Sequence, residues 1–267
     1  MFFLANFATS REKRFFTNLL MTSLAFQEVN MKRALVLISF AVLLLASCRL
    51  SQFNPFKSVE EHPAPEFAAD NTRFYELGCF ESTDCLPADL KTIEHPIGRI
   101  YPLDNTFGAL DPKLPMAKTE TMSLKYDIVI PAVYTEGCRG IFYVRYLVEV
   151  EGEMRLIDSA QGMQQLYAPI ESEDEALSYA VAVTGLTPLN DFDKHPLYKR
   201  YTRPLIESHA AFDGTQFTVN LYDTNLCGCG PHVVSMTTVT VQQDGSISKS
   251  EAVGAFSDPE TDGLCVD

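Results

Sequence analysis

Apolar positions are spread unevenly along the 267-residue chain. A nearly unbroken apolar run occupies Ala34–Ala46. Residues 49–73 show no period, and from about residue 121 apolar and polar positions alternate in short blocks between turn residues. A period of two marks a strand with one buried face, and a period near 3.6 marks an amphipathic helix. On this basis Met122–Tyr134, interrupted by Pro131, and Ile141–Val150 have strand composition. Glu151-Gly152-Glu153 turns the second strand back into Met154–Asp158 as a hairpin. The clearest helix follows. Ser172 is placed as its N-cap, with Glu175 three residues on to complete a capping box. Glu173, Asp174 and Glu175 set negative charge at the positive end of the helix dipole. Ala176, Leu177, Ala180, Val181 and Val183 supply an apolar face, and Gly185 a C-cap. A shorter helix is expected near Gln161–Leu166.

After a polar and aromatic connection over residues 186–204, Leu205–His209, Phe217–Tyr222, Val233–Val241 and Ser246–Val253 read as an antiparallel meander. Asp213-Gly214 and Asp244-Gly245 supply turns. Hairpin, helix and meander in that order predict an α+β fold: a twisted antiparallel sheet with one main helix packed on one face. The order resembles that of cystatin-like and propeptide-type inhibitory domains, a likeness of shape that no residue motif carries. Residues 74–120 contain Pro87, Pro96, Pro102, Pro112 and Pro115 and read as irregular and partly stapled. One globular domain is therefore expected over 74–267. The aperiodic stretch with Pro55, Pro63 and Pro65 puts a flexible tether over 48–73.

The apolar run has a different meaning. Lys32 and Arg33 precede it, it is shorter than the roughly 18–20 residues a membrane-spanning helix needs, and it ends in Leu45-Ala46-Ser47-Cys48. Residues 31–48 resemble the signal peptide and lipobox of bacterial lipoproteins. The resemblance implies diacylglyceryl transfer to the Cys48 sulfur, cleavage between Ser47 and Cys48, and in many species acylation (as palmitate) of the new amine. Two or more acyl chains hold a protein firmly on a bilayer, at about 0.8 kcal/mol per buried methylene. By the same resemblance, Arg49, where inner-membrane lipoproteins carry Asp, directs the chain to the outer membrane of a Gram-negative cell. Residues 1–30 are too long for an n-region. Translation is expected to start at Met31, with an extended leader as the alternative.

Composition narrows the partners. Hydrophobic residues make up 46% of the chain, enough for a buried core. Formal net charge is −14, and the part after the signal retains 16 basic and 33 acidic residues. Such a surface repels nucleic acid and anionic headgroups. It leaves cations, basic proteins or neutral molecules as partners, beside plain solubility.

Beyond Cys48 stand Cys79, Cys85, Cys138, Cys227, Cys229 and Cys265, an even number that points to disulfides in an exported chain. Cys79 and Cys85 are placed to close a small loop. Cys227 and Cys229 are too close for an unstrained mutual bond, so Cys138 and Cys265 are their natural partners. The alternative is a Zn or Cu site on Cys227, Cys229 and His232, where the glycines of the Gly-Cys-Gly motif let the backbone wrap an ion. Asp258, Glu260 and Asp262 resemble the first half of an EF-hand calcium loop, although its twelfth position falls beyond Asp267. Lys199, Arg200, Tyr201 and Arg203, with Lys194, His195 and Tyr198, concentrate positive charge and aromatic rings, as an anion or glycan would require. No hydrolase elbow, zincin, phosphate-loop or dinucleotide motif is present. The expectation is an envelope lipoprotein without cofactor or catalysis that binds or supports an envelope protein or glycan. A metal-handling or hydrolytic protein centred on Cys227–His232, or an inhibitor module, stands as the alternative.

Overall fold

In a computed structural model of the chain, residues 59–124, 129–195, 197–224 and 226–266 are described. The signal segment and Cys48 lie outside them. The described residues belong to the unit Ser58–Asp267. Order begins well before Phe74. Val59–Glu60 (β1) lies parallel to Leu205–Ile206, with Val59 buried. Asn71 grips Leu103 in both directions: its Nδ2 donates to the Leu103 carbonyl at 2.9 Å, and its Oδ1 accepts from the Leu103 amide at 2.8 Å. Residues 59–73 are therefore part of the folded unit, which corrects the tether boundary. The segment is aperiodic because side-chain bonds to backbone, and not a repeating ladder, hold it down.

The next residues form two short helices, Thr72–Glu76 (α1) and Ala88–Lys91 (α2). A first sheet follows, from Arg99–Tyr101 (β2), Met116–Ser123 (β3), Tyr134–Glu136 (β4), Ile141–Val150 (β5) and Glu153–Ile157 (β6). Its five strands run β2-β3-β5, with β4 and β6 sharing the other edge of β5. β5 and its hairpin match the sequence pattern, and Glu151 and Gly152 take φ of 55° and 83°, the two positive values of a type I′ turn. Of the strand expected at Met122–Tyr134, residues 125–128 lie outside the described residues; Met122 and Ser123 close β3, which starts at Met116, and Tyr134 opens β4. An unbroken antiparallel register from Met116 opposite Val148 to Ser123 opposite Ile141 sets the limits of β3. Ladder pairing outweighs local strand composition here. On the outer face of this sheet Phe74, Leu86 and Leu90 pack with Ile100, Ala117 and Leu147, beside the Cys79–Cys85 disulfide.

Two helices come next, Ala160–Tyr167 (α3) and Glu173–Thr184 (α4). Ser172 Oγ accepts from the Glu175 amide at 3.1 Å, and Gly185 takes the left-handed C-cap conformation at φ 71°. The Glu175 carboxylate reaches one residue further back than a capping box requires, accepting from the Glu171 amide at 2.8 Å. Every residue from Glu175 to Val183 is buried. A helix covered all round belongs inside a core rather than on its surface.

The remaining strands are Lys199–Arg200 (β7), Leu205–Ile206 (β8), Ala210–Phe212 (β9), Gln216–Asp223 (β10), Gly228–Cys229 (β11), Val233–Gln242 (β12), Ile247–Lys249 (β13), Val253–Ser257 (β14) and Cys265–Val266 (β15). Six of them form a second sheet in the order β7-β14-β12-β10-β9, with β13 also beside β12. The expected Ser246–Val253 strand is split into β13 and β14. The expected Leu205–His209 strand shortens to β8 and leaves the meander to pair with β1.

Alternation sends Phe217, Val219, Leu221, Val239 and Val241 into the same core as Val144, Tyr146 and Val148 of the first sheet, together with α4. Tyr222, Val234 and Phe256 pack in a separate cluster with Val59, Phe192 and Leu205. Tyr146 of β5 donates to the Ala182 carbonyl at 2.8 Å, and Tyr179 of α4 donates to the Gly245 carbonyl at 2.8 Å. The fold is α+β, antiparallel and disulfide-stapled, as the patterning predicts. The correction is that hairpin and meander form separate sheets with α4 between them. Two-sided cover departs from the single-sheet arrangement on which the likeness to cystatin-like domains rested.

Candidate functional site

Past Gly185 the helix no longer fills the space between the sheets, and a cleft of about 530 Å³ opens there. Its first wall comes from cross-strand neighbours of the first sheet: Glu120 on β3, Tyr134 and Glu136 on β4, and Phe142 on β5. Its second wall comes from Thr187, Asp223, Thr224 and Lys249. Two glycines shape it. A Cβ on Gly185 would stand 2.3 Å from the Tyr134 ring, and one on Gly137 would stand 2.8 Å from the Phe142 ring. Both glycines have positive φ, so the close ring packing and the backbone turn demand the same residue.

At the base of the first wall, Lys118 Nζ bonds Glu120 Oε1 at 2.8 Å and Glu136 Oε1 at 3.0 Å. Burial alone would lower the Lys118 ammonium. Tyr134 and the two carboxylates outweigh it and hold the ammonium above its ordinary range. Burial pushes the Tyr134 phenol up, with Lys118 pulling the other way, and burial raises fully enclosed Tyr146 further. Lysine and phenols thus keep their protons at neutral pH. Of the three only Tyr134 lines the cleft, where a protonated phenol can donate a hydrogen bond but is poorly matched to proton shuttling, a task that wants a pKa near the working pH. On the second wall Thr187 Oγ1 and Thr224 Oγ1 lie 3.2 Å apart.

A disulfide braces the cleft. Cys138–Cys227, 89 residues apart in sequence, joins the loop after Glu136–Gly137 to the loop after Asp223–Thr224. The other pairs are Cys79–Cys85 and Cys229–Cys265, the latter set directly across β11 and β15. Cys79–Cys85 is the small loop expected from spacing, and the fold decides that Cys138 takes Cys227 and Cys265 takes Cys229, an assignment spacing left open. The residues of the Zn or Cu alternative have other partners in this structure. Cys227 and Cys229 are half-cystines, and His232 is buried with Nε2 3.1 Å from the Leu264 carbonyl oxygen. In the proposed calcium loop, Asp258 Oδ1 accepts from the Glu260 amide at 3.0 Å, and the Thr261 amide donates to the Asp258 carbonyl, so the acidic turn is tied internally. Among the described residues no group of three or more His, Cys, Asp or Glu is placed to hold a metal ion.

Lys199 lies over the Tyr201 ring at 5.3 Å, Arg200 reaches 4.0 Å from Asp193, and the Tyr201 hydroxyl meets Ser257 Oγ at 3.2 Å. The basic segment is therefore partly engaged by its own neighbours, with Arg203 exposed. Two histidines without any spacing signal come together: the His62 and His209 rings stack at 3.4 Å between centroids, where Glu207 Oε2 accepts from the His62 amide at 2.9 Å.

Sequence pattern did not single out Lys118, Glu120, Tyr134, Glu136 or Phe142. In so acidic a chain a pair of glutamates carries no signal, and only pairing of β3 and β4 with β5 gathers them. No protein-family model, curated protein or solved structure matches the chain. What fold and site define is a disulfide-stapled α+β module with a polar cleft between two sheets. No helix among the described residues is long and apolar enough to cross a membrane.

Proposed function

We propose that the chain is a lipid-anchored protein of a bacterial cell envelope. Its folded unit binds or supports another envelope component without catalysing a reaction, and its address is the outer membrane where the cell has one. The observation that supports this is cysteine use. The chain has seven cysteines, and the six beyond residue 48 are paired in three disulfides. Complete pairing fits an oxidising compartment. The odd sulfur is Cys48, at the end of the apolar run where a lipobox carries its lipid.

The early start of the folded unit adds a dimension. Only residues 49–57 separate Cys48 from Ser58. Fully extended they reach about 30 Å, so the module works close to the bilayer that holds it. The test is fractionation with mass spectrometry of the mature N-terminus. An acylated Cys48 as first residue, and release of Cys48→Ala into the soluble fraction, are expected. A soluble protein with an intact, unmodified N-terminus in the cytosol would end the proposal.

A further inference from the structure

We infer that the cleft beyond Gly185 is a binding site for one or two neutral sugar rings. This deepens the binding role proposed above and rests on it, although every residue involved lies in the folded unit and none in the anchor. The volume, about 530 Å³, is within the range of small-ligand sites. Its walls are dominated by polar groups, which disfavours an acyl chain or another wholly apolar guest. Two of its three carboxylates are paired, since Lys118 binds both Glu120 and Glu136 and they do not act as a bare trap for a cation, and the second wall carries one charge of each sign, Asp223 and Lys249. A carboxylate paired in this way still accepts hydrogen bonds through its second oxygen and remaining lone pairs.

A sugar ring asks for this mixture. It offers hydroxyls that both donate and accept, and an apolar face of C–H groups. The cleft answers with carboxylate acceptors, with threonine hydroxyls that turn to suit either role, and with the Tyr134 and Phe142 rings on one wall as apolar surface. The site is also stiffened in advance. Gly185 and Gly137 let the rings sit against backbone, and Cys138–Cys227 ties loops from the two walls together. Less ordering is then required on binding. The basic segment at Lys199–Arg203 is partly engaged by its own neighbours, Lys199 by the Tyr201 ring and Arg200 by Asp193.

The experiment is calorimetric titration of the purified full chain, disulfides intact, with a panel of neutral disaccharides (cellobiose, maltose, chitobiose), and with spermidine as a cationic probe. Saturable binding of at least one disaccharide is expected, weakened about tenfold or more by Phe142→Ala. Glu136→Gln and Thr224→Ala serve as milder variants that leave the core untouched, and each should weaken the same sugar. Arg203→Ala should leave it unchanged. Reducing Cys138–Cys227 should weaken binding while the far-ultraviolet circular dichroism stays constant. No saturation by any sugar up to about 10 mM, binding of spermidine alone, or sugar binding indifferent to all three cleft variants would each overturn the inference. A membrane-bound, acylated protein that ignores sugars would overturn it and leave the anchor standing.

Discussion

Removing a single oxygen from Tyr146 tests whether the central helix is sealed between two sheets. Ala182 lies in the last turn of α4, where carbonyls run out of backbone amides. The Leu186 amide, which an extended helix would direct at Ala182, goes to Thr184 Oγ1 instead. The Ala182 carbonyl is met by the Tyr146 hydroxyl at 2.8 Å, from a side chain with no exposed surface. Tyr146→Phe keeps the ring and its packing and strands that carbonyl away from water. An unsatisfied buried acceptor costs about 1–3 kcal/mol. For a unit of this size that lowers Tm by roughly 3–10 °C. The measurement is urea unfolding of the oxidised protein by circular dichroism, with an unchanged m-value as the check that only stability moved. Tyr75→Phe, at a tyrosine 62% exposed, is the control; it should stay within about 0.5 kcal/mol. A Tyr146→Phe change as small as the control's would mean that water reaches Ala182, and the sealed two-sheet arrangement would be wrong.

Gly185→Ala meets a left-handed backbone and a Tyr134 ring carbon 2.3 Å from the new Cβ, so a loss of more than about 1 kcal/mol and reduced cleft binding are expected by unfolding and titration. Burial raises the Glu175 carboxyl above its ordinary value, against the pull of the Glu171 amide. Its stabilising effect is therefore complete below the unfolded pKa of about 4.3 and is lost as pH rises through the folded value. Between pH 4 and 7 the urea midpoint of the wild type should fall relative to Glu175→Gln, and parallel curves would count against this. Val59→Ala, which removes two buried methyl carbons from the docking of β1, should cost roughly 1–2 kcal/mol; no loss would return residues 59–73 to the tether. The double change Cys229→Ser, Cys265→Ser unties β15 and should expose the tail after Asp258 to limited proteolysis, with a stability loss of about 2–4 kcal/mol.

Local chemistry was legible wherever a residue's task involves near neighbours in sequence. Ser172, Gly185 and the Glu151-Gly152 turn announce themselves because caps and type I′ turns are satisfied within a few residues. The cysteine pairing was legible only in part: closeness in sequence suggests Cys79–Cys85 and strain disfavours Cys227–Cys229, but which of Cys138 and Cys265 meets which of them is set by the fold. Less was visible at residues 59–73, whose anchoring comes from partners far along the chain such as Leu205 and Leu103. The start of β3 at Met116 was hidden in the same way, since its limits belong to its pairing with β5.

The amino-acid order by itself determined the α+β class, the position and ends of the main helix, the central strands and the small Cys79–Cys85 loop. Each of these follows from periodicity, capping or spacing along one stretch of chain. Only the tertiary structure decided that the strands part into two sheets, that α4 is enclosed by both, and that Lys118, Glu120, Tyr134, Glu136 and Phe142 share a wall of the cleft. Sheet membership depends on which distant edges meet, and a period of two looks the same on either sheet.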